Sequence, residues 1–485
     1  MNNSQQALSV SSLKLLTSQY GVAIINLIFM MILLRLMTKT EFAVIAVMEI
    51  FTSILAFTDL GLNSVYLQRS TAKINQKDTK AIGFVKLCFL VKSFNLLIIG
   101  SILIFCSDTF AEYILQDKSY SFAIKILVFG AIAASCFDSL KLLAQSLQDF
   151  SKIAKWIFWS GAFRQCTGLL LYLFFGFIAY ITGIVTVIII SSALMAWSMR
   201  EYLFNKIPMA SFIATVSYGF PFYLKNFFRY GFMQFDQLLV GLMLSPELLA
   251  TYSVAKKFSS YINLATGAFI NPLGMRAAAL RDESILDHEK LFHRSSYYII
   301  LTMFPLCLIV ALSSPFLMWL QGGDKYIAGW PILTILCFSQ MIYVIYSFYS
   351  LFIFALALPK YSLLNDFSAG FTNALISPFF LYYFSETGIA VGLVISFVVG
   401  TIVAKNILNK YGNFTFNFQS FVIQLIPLLL MTTIVLSGYL VNFSILLSPV
   451  YLIVGLLCYI IITCRFFRHE DWQISKSIYY SILSK

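Results

Sequence analysis

Residues 217–281 read SYGFPFYLKNFFRYGFMQFDQLLVGLMLSPELLATYSVAKKFSSYINLATGAFINPLGMRAAALR. Two long apolar runs meet at the short turn Ser245-Pro246-Glu247. Five charged residues, Lys225, Arg229, Asp236, Lys256 and Lys257, lie inside the runs. In hydrocarbon each charge costs about 2.5–3.5 kcal/mol unless it faces a partner or water. Five in one hairpin point to a polar cavity inside a membrane protein.

Working outward, the composition agrees. Of 485 residues, 60% are hydrophobic and 11% charged, against about 25% charged in ordinary soluble domains. Apolar runs of span length recur throughout, each able to cross about 30 Å of hydrocarbon. The fold class is therefore all-α and polytopic. A β-barrel would show short alternating segments instead. Fourteen spans are expected, at 15–37, 42–67, 83–107, 120–146, 154–176, 178–199, 213–244, 248–275, 295–320, 330–358, 361–384, 387–409, 421–442 and 446–467. Residues 1–12 are polar, so no cleavable signal is expected and the first run stays as a helix.

The net charge of +12 follows from topology rather than from nucleic acid as a partner. With the N-terminus inside, twenty Lys and Arg fall at cytoplasmic loops and span ends. Only Lys39, Lys118 and Lys325 fall outside. That asymmetry is the positive-inside pattern, and it places both termini in the cytoplasm. The eight cysteines lie in or beside apolar runs without a CxxC spacing, as small buried hydrophobes. The three histidines fall in hydrophilic loops. No metal site, cofactor or catalytic residue is expected. The longest connector, 276–294, reads as a solvated amphipathic loop.

Arg35-Leu-Met-Thr-Lys-Thr-Glu41-Phe42 is similar to Gly241-Leu-Met-Leu-Ser-Pro-Glu247-Leu248. Both stand between two long spans, 206 positions apart. Internal repeats of this kind are typical of transporters that bind substrate between halves. They divide the chain into 1–210, with six spans, 211–412, with six more, and 413–485, with the last two and a cytoplasmic tail.

The deep charges do not balance. Lys92, Arg164, Lys225, Arg229, Lys256 and Lys257 are basic; Glu49, Asp138 and Asp236 are acidic. Lys86, Lys125 and Lys141 lie near span ends and snorkel; Arg35, near the outer end of its span, is open to the same reading. Lys225 and Arg229 share a helix face. Asp236 and either Lys256 or Lys257 stand about 12 Å from their common turn, so they pair and offer a gate. The basic surplus implies an anionic guest, and phosphate or diphosphate suits arginine. Aromatic residues, at 17%, suit sugar faces, although lipid-facing packing accounts for them residue by residue.

Two hairpins carry a family resemblance. Arg35-Leu36, Glu41-Phe42, Asp59-Leu60-Gly61-Leu62 and Arg69 resemble the opening of polysaccharide-export flippases, with Ala43 in place of the usual Gly. Pro221, Asp236, Gly241, Tyr252 and Ala255 resemble that family's mid-chain hairpin. The resemblance implies the multidrug/oligosaccharidyl-lipid/polysaccharide exporter superfamily, built as two six-helix lobes in a V shape plus two helices. It implies a lipid-linked oligosaccharide, carried on undecaprenyl diphosphate, moved to the outer leaflet of the cytoplasmic (inner) membrane for O-antigen, capsule or exopolysaccharide synthesis. Arg35, Arg164, Arg229, Lys256 and Lys257 are the substrate candidates it implies, beside Lys225. Glu49, Asp59 and Asp236 are candidates for gating or ion coupling. A coupling H+ or Na+, membrane lipids, a polymerase and a chain-length regulator are the expected partners. The peptidoglycan-precursor branch shows no wider match. A multidrug antiporter of the same fold would need an acidic surplus. A membrane polymerase would need a large outer loop, where only 107–119 is present.

Overall fold

The helix starts explain the repeated turn. Thr38 accepts a hydrogen bond from the Glu41 amide at 3.2 Å, and its own amide donates to the Glu41 carboxylate at 2.8 Å. This is a capping box. Ser245 accepts from the Leu248 amide at 3.4 Å, with Pro246 in the first helical position, where its missing N–H costs nothing. The Leu-Met and Glu matches therefore mark two equivalent corners: the end of one helix, a hydroxyl cap and an acid in the next first turn.

The computed structural model describes residues 3–55, 58, 79–146, 150–204, 220, 223–224, 227–228, 234–279, 285–356, 358–416, 429, 432–433, 450, 452–457 and 459. Described residues in regular structure are helical. In chain order the α-helices are α1 (Asn3–Leu36), α2 (Lys39–Leu55), α3 (Thr79–Phe105), α4 (Ser107–Ile114), α5 (Ser121–Ser146), α6 (Phe150–Phe175), α7 (Phe177–Ser198) and α8 (Arg200–Phe204). They continue as α9 (Phe235–Met243), α10 (Pro246–Ala279), α11 (Ile285–Leu312), α12 (Ser314–Gly322), α13 (Asp324–Ile327), α14 (Trp330–Ala355) and α15 (Pro359–Leu408). Five of the described helices are long and apolar enough to cross a membrane, and the bent α3–α4 pair makes a sixth. The chain is a multi-pass membrane protein.

Several expected boundaries move. The first helix starts at Asn3 rather than near 15. The third span bends by 57° after Phe105 and continues as α4, where a loop was expected. The ninth breaks at Ser313, before the Ser314-Pro315 start of α12. The expected loop 276–294 is largely helical: α10 runs to Ala279 and α11 begins at Ile285, with His288 buried. The eleventh and twelfth spans join without a loop. Ser385 alone, at φ 55°, turns the chain inside α15. The spans at 421–442 and 446–467 lie almost wholly outside the described residues.

Packing sets the frame for a site. α1 and α6 run parallel, since Ser18 bonds the Ala154 carbonyl, Gln165 bonds Asn26 and Tyr172 reaches the Leu36 carbonyl. α10 meets α1 and α2: Tyr20 bonds the Leu264 carbonyl, and α2 packs along α10. A continuous apolar core joins α1, α2, α5 and α7 to α10 and α14. The α1–α2, α6–α7 and α9–α10 turns gather at one end of the bundle. There Tyr172 also bonds Glu41, Tyr120 packs on Phe177 and Gln116 reaches the Leu244 carbonyl. Gly241 allows α9 to approach α4, since a Cβ would meet Ile114 at 2.8 Å.

A candidate anion-binding cavity

A cavity of about 390 Å³ opens between α1, α2 and α6 on one side and α10 on the other. Asn26, Arg164, Gln165, Tyr180, Lys257 and Tyr261 supply much of its polar lining. A second space of about 260 Å³ adjoins it, sharing Val22, Lys141, Ile157 and Arg164 and adding Asp138.

Helix rise places these residues at one level. Arg164 lies eleven positions before the end of α6, and Lys257 eleven after the start of α10. Asn26 lies ten before the end of α1, and Glu49 ten after the start of α2. At 1.5 Å per residue all stand about 15–17 Å from the shared turn end. That is half of a hydrocarbon core about 30 Å thick. Polar side chains thus form one layer about half a hydrocarbon thickness from the turn end.

The two adjacent lysines of α10 have different partners. Lys256 meets Asp236 at 2.6 Å and the Gln234 side-chain oxygen at 3.0 Å. Asp236 is wholly buried, and it also accepts from the Tyr252 hydroxyl at 2.6 Å and the Gln237 amide at 2.8 Å. Of the two pairings open in the sequence, this is the one formed. Lys257, about 100° further round the helix, meets Glu49 of α2 at 2.9 Å. Lys141 is paired with Asp138 one turn earlier and lines both cavities, where a snorkelling residue was expected.

Those pairs cancel much of the deep positive surplus. Arg164 remains: it lines both cavities, and no acid lies within 4 Å of it among the described residues. Its electrostatic neighbours are Asp138 and Tyr180. Lys92 is buried on α3 near Cys136 and lines neither space. Arg35 stands elsewhere. It is exposed at the turn end, donates to the Leu320 carbonyl at 3.2 Å and lies 5.8 Å from the Trp319 ring centre. Lys225, Arg229 and Asp59 lie outside the described residues.

Sequence reasoning passed over Asn26, Gln165, Tyr180, Ser260 and Tyr261. The available signal was an isolated amide in an apolar run, as in Ala23-Ile-Ile-Asn26-Leu-Ile. Gln165 donates to the Asn26 carbonyl oxygen at 2.8 Å. The pair still has amide donors and an acceptor unused, beside the guanidinium of Arg164.

The turn end of the cavity is closed. Phe42 lines it and packs edge-on against buried Tyr326, ring centres 6.4 Å apart. Outside that contact, Lys325 donates to the carbonyls of Arg35 at 3.2 Å and Met37 at 3.5 Å. A cation there complements the C-terminal dipole of α1.

Known proteins share this architecture. The "Lipid II flippase MurJ, inward closed conformation" superposes with a TM-score of 0.74 at 15% identity, over 93% of this chain and 98% of that one. An inward-facing multidrug resistance MATE family transporter of the MOP superfamily gives 0.66 at 13% identity, over 79% and 94%. A MOP superfamily transporter from Pyrococcus furiosus, described by the "reverse polarity" of its binding pocket, gives 0.60 at 13%, over 83% and 94%. At such identities the likeness is one of fold. A search of curated protein sequences returned no match. The family model described as "Polysaccharide biosynthesis protein" matches residues 32–329, more than half of the 485 residues. This chain belongs to the polysaccharide biosynthesis protein family.

Proposed function

We propose that this protein is a flippase. It moves sugar repeat units linked to undecaprenyl diphosphate across the cytoplasmic membrane, for O-antigen, capsule or exopolysaccharide synthesis. The observation that carries the reading is Arg164, a midplane guanidinium that lines both cavities and has no acid within 4 Å among the described residues. A half-buried cation deep in a membrane span calls for an anion or water, and a guanidinium fork matches phosphate oxygens. The Asn26–Gln165 pair and the Tyr180 and Tyr261 rings offer hydroxyl-bonding and stacking surfaces to the attached sugars.

Transport then works by alternating access between halves 1–210 and 211–412, with both termini in the cytoplasm. The turn end faces outward and is shut here. The diphosphate enters from the cytoplasmic side, and no covalent chemistry is needed. Lys225 and Arg229 extend the cationic path on the second half, and a proton or sodium ion supplies coupling. A polymerase and a chain-length regulator receive the product. The competing reading, a cation antiporter, is disfavoured by Arg164, the one charged residue lining the main cavity that has no acid within 4 Å among the described residues.

The test is surface polysaccharide in a deletion strain carrying the gene. Arg164→Ala should abolish export at normal protein abundance, and Arg164→Lys should retain part. Wild-type polysaccharide from the alanine variant refutes the reading.

A further inference from the structure

The lysine pair of α10 holds two kinds of ion pair. Lys256–Asp236 is saturated: the acid has three donors, and it is fully buried. Lys257–Glu49 is open. Its side chains remain 34% and 39% exposed, and Lys257 lines the cavity. The pair joins residues 208 positions apart, so it ties α2 of the first half to α10 of the second. Tyr180, in the lining of the same cavity, lies within electrostatic reach of both Lys257 and Arg164.

We infer that Glu49 is a built-in counter-anion, holding Lys257 while the cavity is empty and yielding it when a diphosphate binds. This rests on the flippase reading above. An ammonium group has three donors and no fixed fork. It can turn from a carboxylate to phosphate oxygens without moving its helix. A diphosphate seated on Arg164 brings more negative charge to the same level of the membrane than the single carboxylate of Glu49. The exchange does two things. It sets affinity, because the guest must displace an internal competitor. It also unties α2 from α10, so that occupancy itself loosens the contact between halves. A purely structural pair would have no reason to leave its lysine on the cavity and both side chains part-exposed; Lys256–Asp236 shows what a closed pair looks like on the same helix.

Binding of inorganic pyrophosphate to the purified full chain in nanodiscs, followed by calorimetry, tests this. Arg164→Gln and Lys257→Gln should each weaken binding about tenfold or more. Glu49→Gln should tighten it about tenfold, and should have no effect once Lys257→Gln is present, as coupled residues require. Glu49→Asp, which keeps the charge on a shorter arm, should tighten it about threefold and covers the case in which Glu49→Gln does not fold. Weakened or unchanged binding in the Glu49 variants, with Arg164 dependence intact, overturns the exchange alone. Absence of pyrophosphate binding, or binding indifferent to Arg164→Gln, overturns the diphosphate reading and the exchange with it.

Discussion

Asp236→Ala should destabilise this protein more than removal of any surface charge, and removing Lys256 as well should restore most of the loss. Asp236 is completely buried and accepts from Lys256, Tyr252 and the Gln237 amide. Its loss leaves a buried ammonium without its carboxylate, which costs about 3–5 kcal/mol. The wholly buried Tyr252 hydroxyl is stranded too, for about 1–3 kcal/mol more. The Gln234 oxygen stays 3.0 Å from Lys256, and the lysine side chain is 18% exposed, so water reaches it. The lower end of the combined range, about 4 kcal/mol, is expected. The assay is unfolding in mixed micelles titrated with sodium dodecyl sulfate, read by tryptophan fluorescence. Asp236→Ala with Lys256→Met removes the ammonium that has lost its carboxylate and leaves the Tyr252 hydroxyl, the Gln237 amide and the Gln234 oxygen without these partners, so it should recover about 3 kcal/mol, the part of the loss assigned to the ammonium. A single variant as stable as wild type, or a double variant no better than the single, would refute the idea that this pair is the fixed ion pair of the hairpin.

Three further outcomes are expected. Arg229→Ala should abolish surface polysaccharide while Arg229→Lys keeps part of it; a fully exporting alanine strain with normal protein abundance removes Arg229 from the substrate path. Lys325→Ala cancels two bonds to the C-terminal carbonyls of α1, worth about 0.3–1 kcal/mol as a cation at a helix end. That raises the open population at the turn end by about twofold to fivefold, readable as a longer distance between spin labels at Leu36 and Trp330; an unchanged distance distribution counts against the clasp. Gly176, at φ 79° and ψ −165° before α7, sits in a region that only glycine adopts readily, at a cost of about 1–3 kcal/mol for other residues. A Cβ there meets nothing within 4 Å, so Gly176→Ala and Gly176→Ser should lose the same stability in the micelle titration; unequal losses would mean that side-chain contacts, not backbone strain, set the cost.

Span positions were legible wherever one physical rule acted alone. Apolar length located α5, α6, α7 and α14 to within a few residues, and Ser385 bends α15 where the boundary between the eleventh and twelfth spans was expected. The misplaced ends have local causes that hydropathy does not sense. α3 bends at Cys106 into α4, whose Asp108 and Glu112 make a helical stretch read as a loop. Ser313 stops α11 inside an otherwise apolar run, ahead of Pro315. Residues 285–294 look like a solvated loop because their charges are dense, yet a helical spacing buries His288 and Phe292 on one face.

The site divides in the same way. Depth along a helix follows from counting, so the levels of Asp236, Lys256, Lys257 and Arg164 were open to the sequence. Direction around the bundle is not. Lys256 and Lys257 are neighbours in sequence, but they differ by about 100° in azimuth, and only the placement of α2 against α10 decides that one faces Asp236 and the other Glu49. The same step reverses the meaning of the charge count. Six deep bases against three acids implied a broad cationic chamber. Among the described residues, pairing leaves Arg164 as the cavity cation with no acid within 4 Å, with Lys257 held in reserve by a carboxylate on the opposite half. A site built on one committed cation and one conditional cation discriminates differently from a uniformly basic one. A single-charged anion gains from Arg164 but gains little by displacing Glu49, whereas a diphosphate gains from both, so the open ion pair is itself a filter for charge.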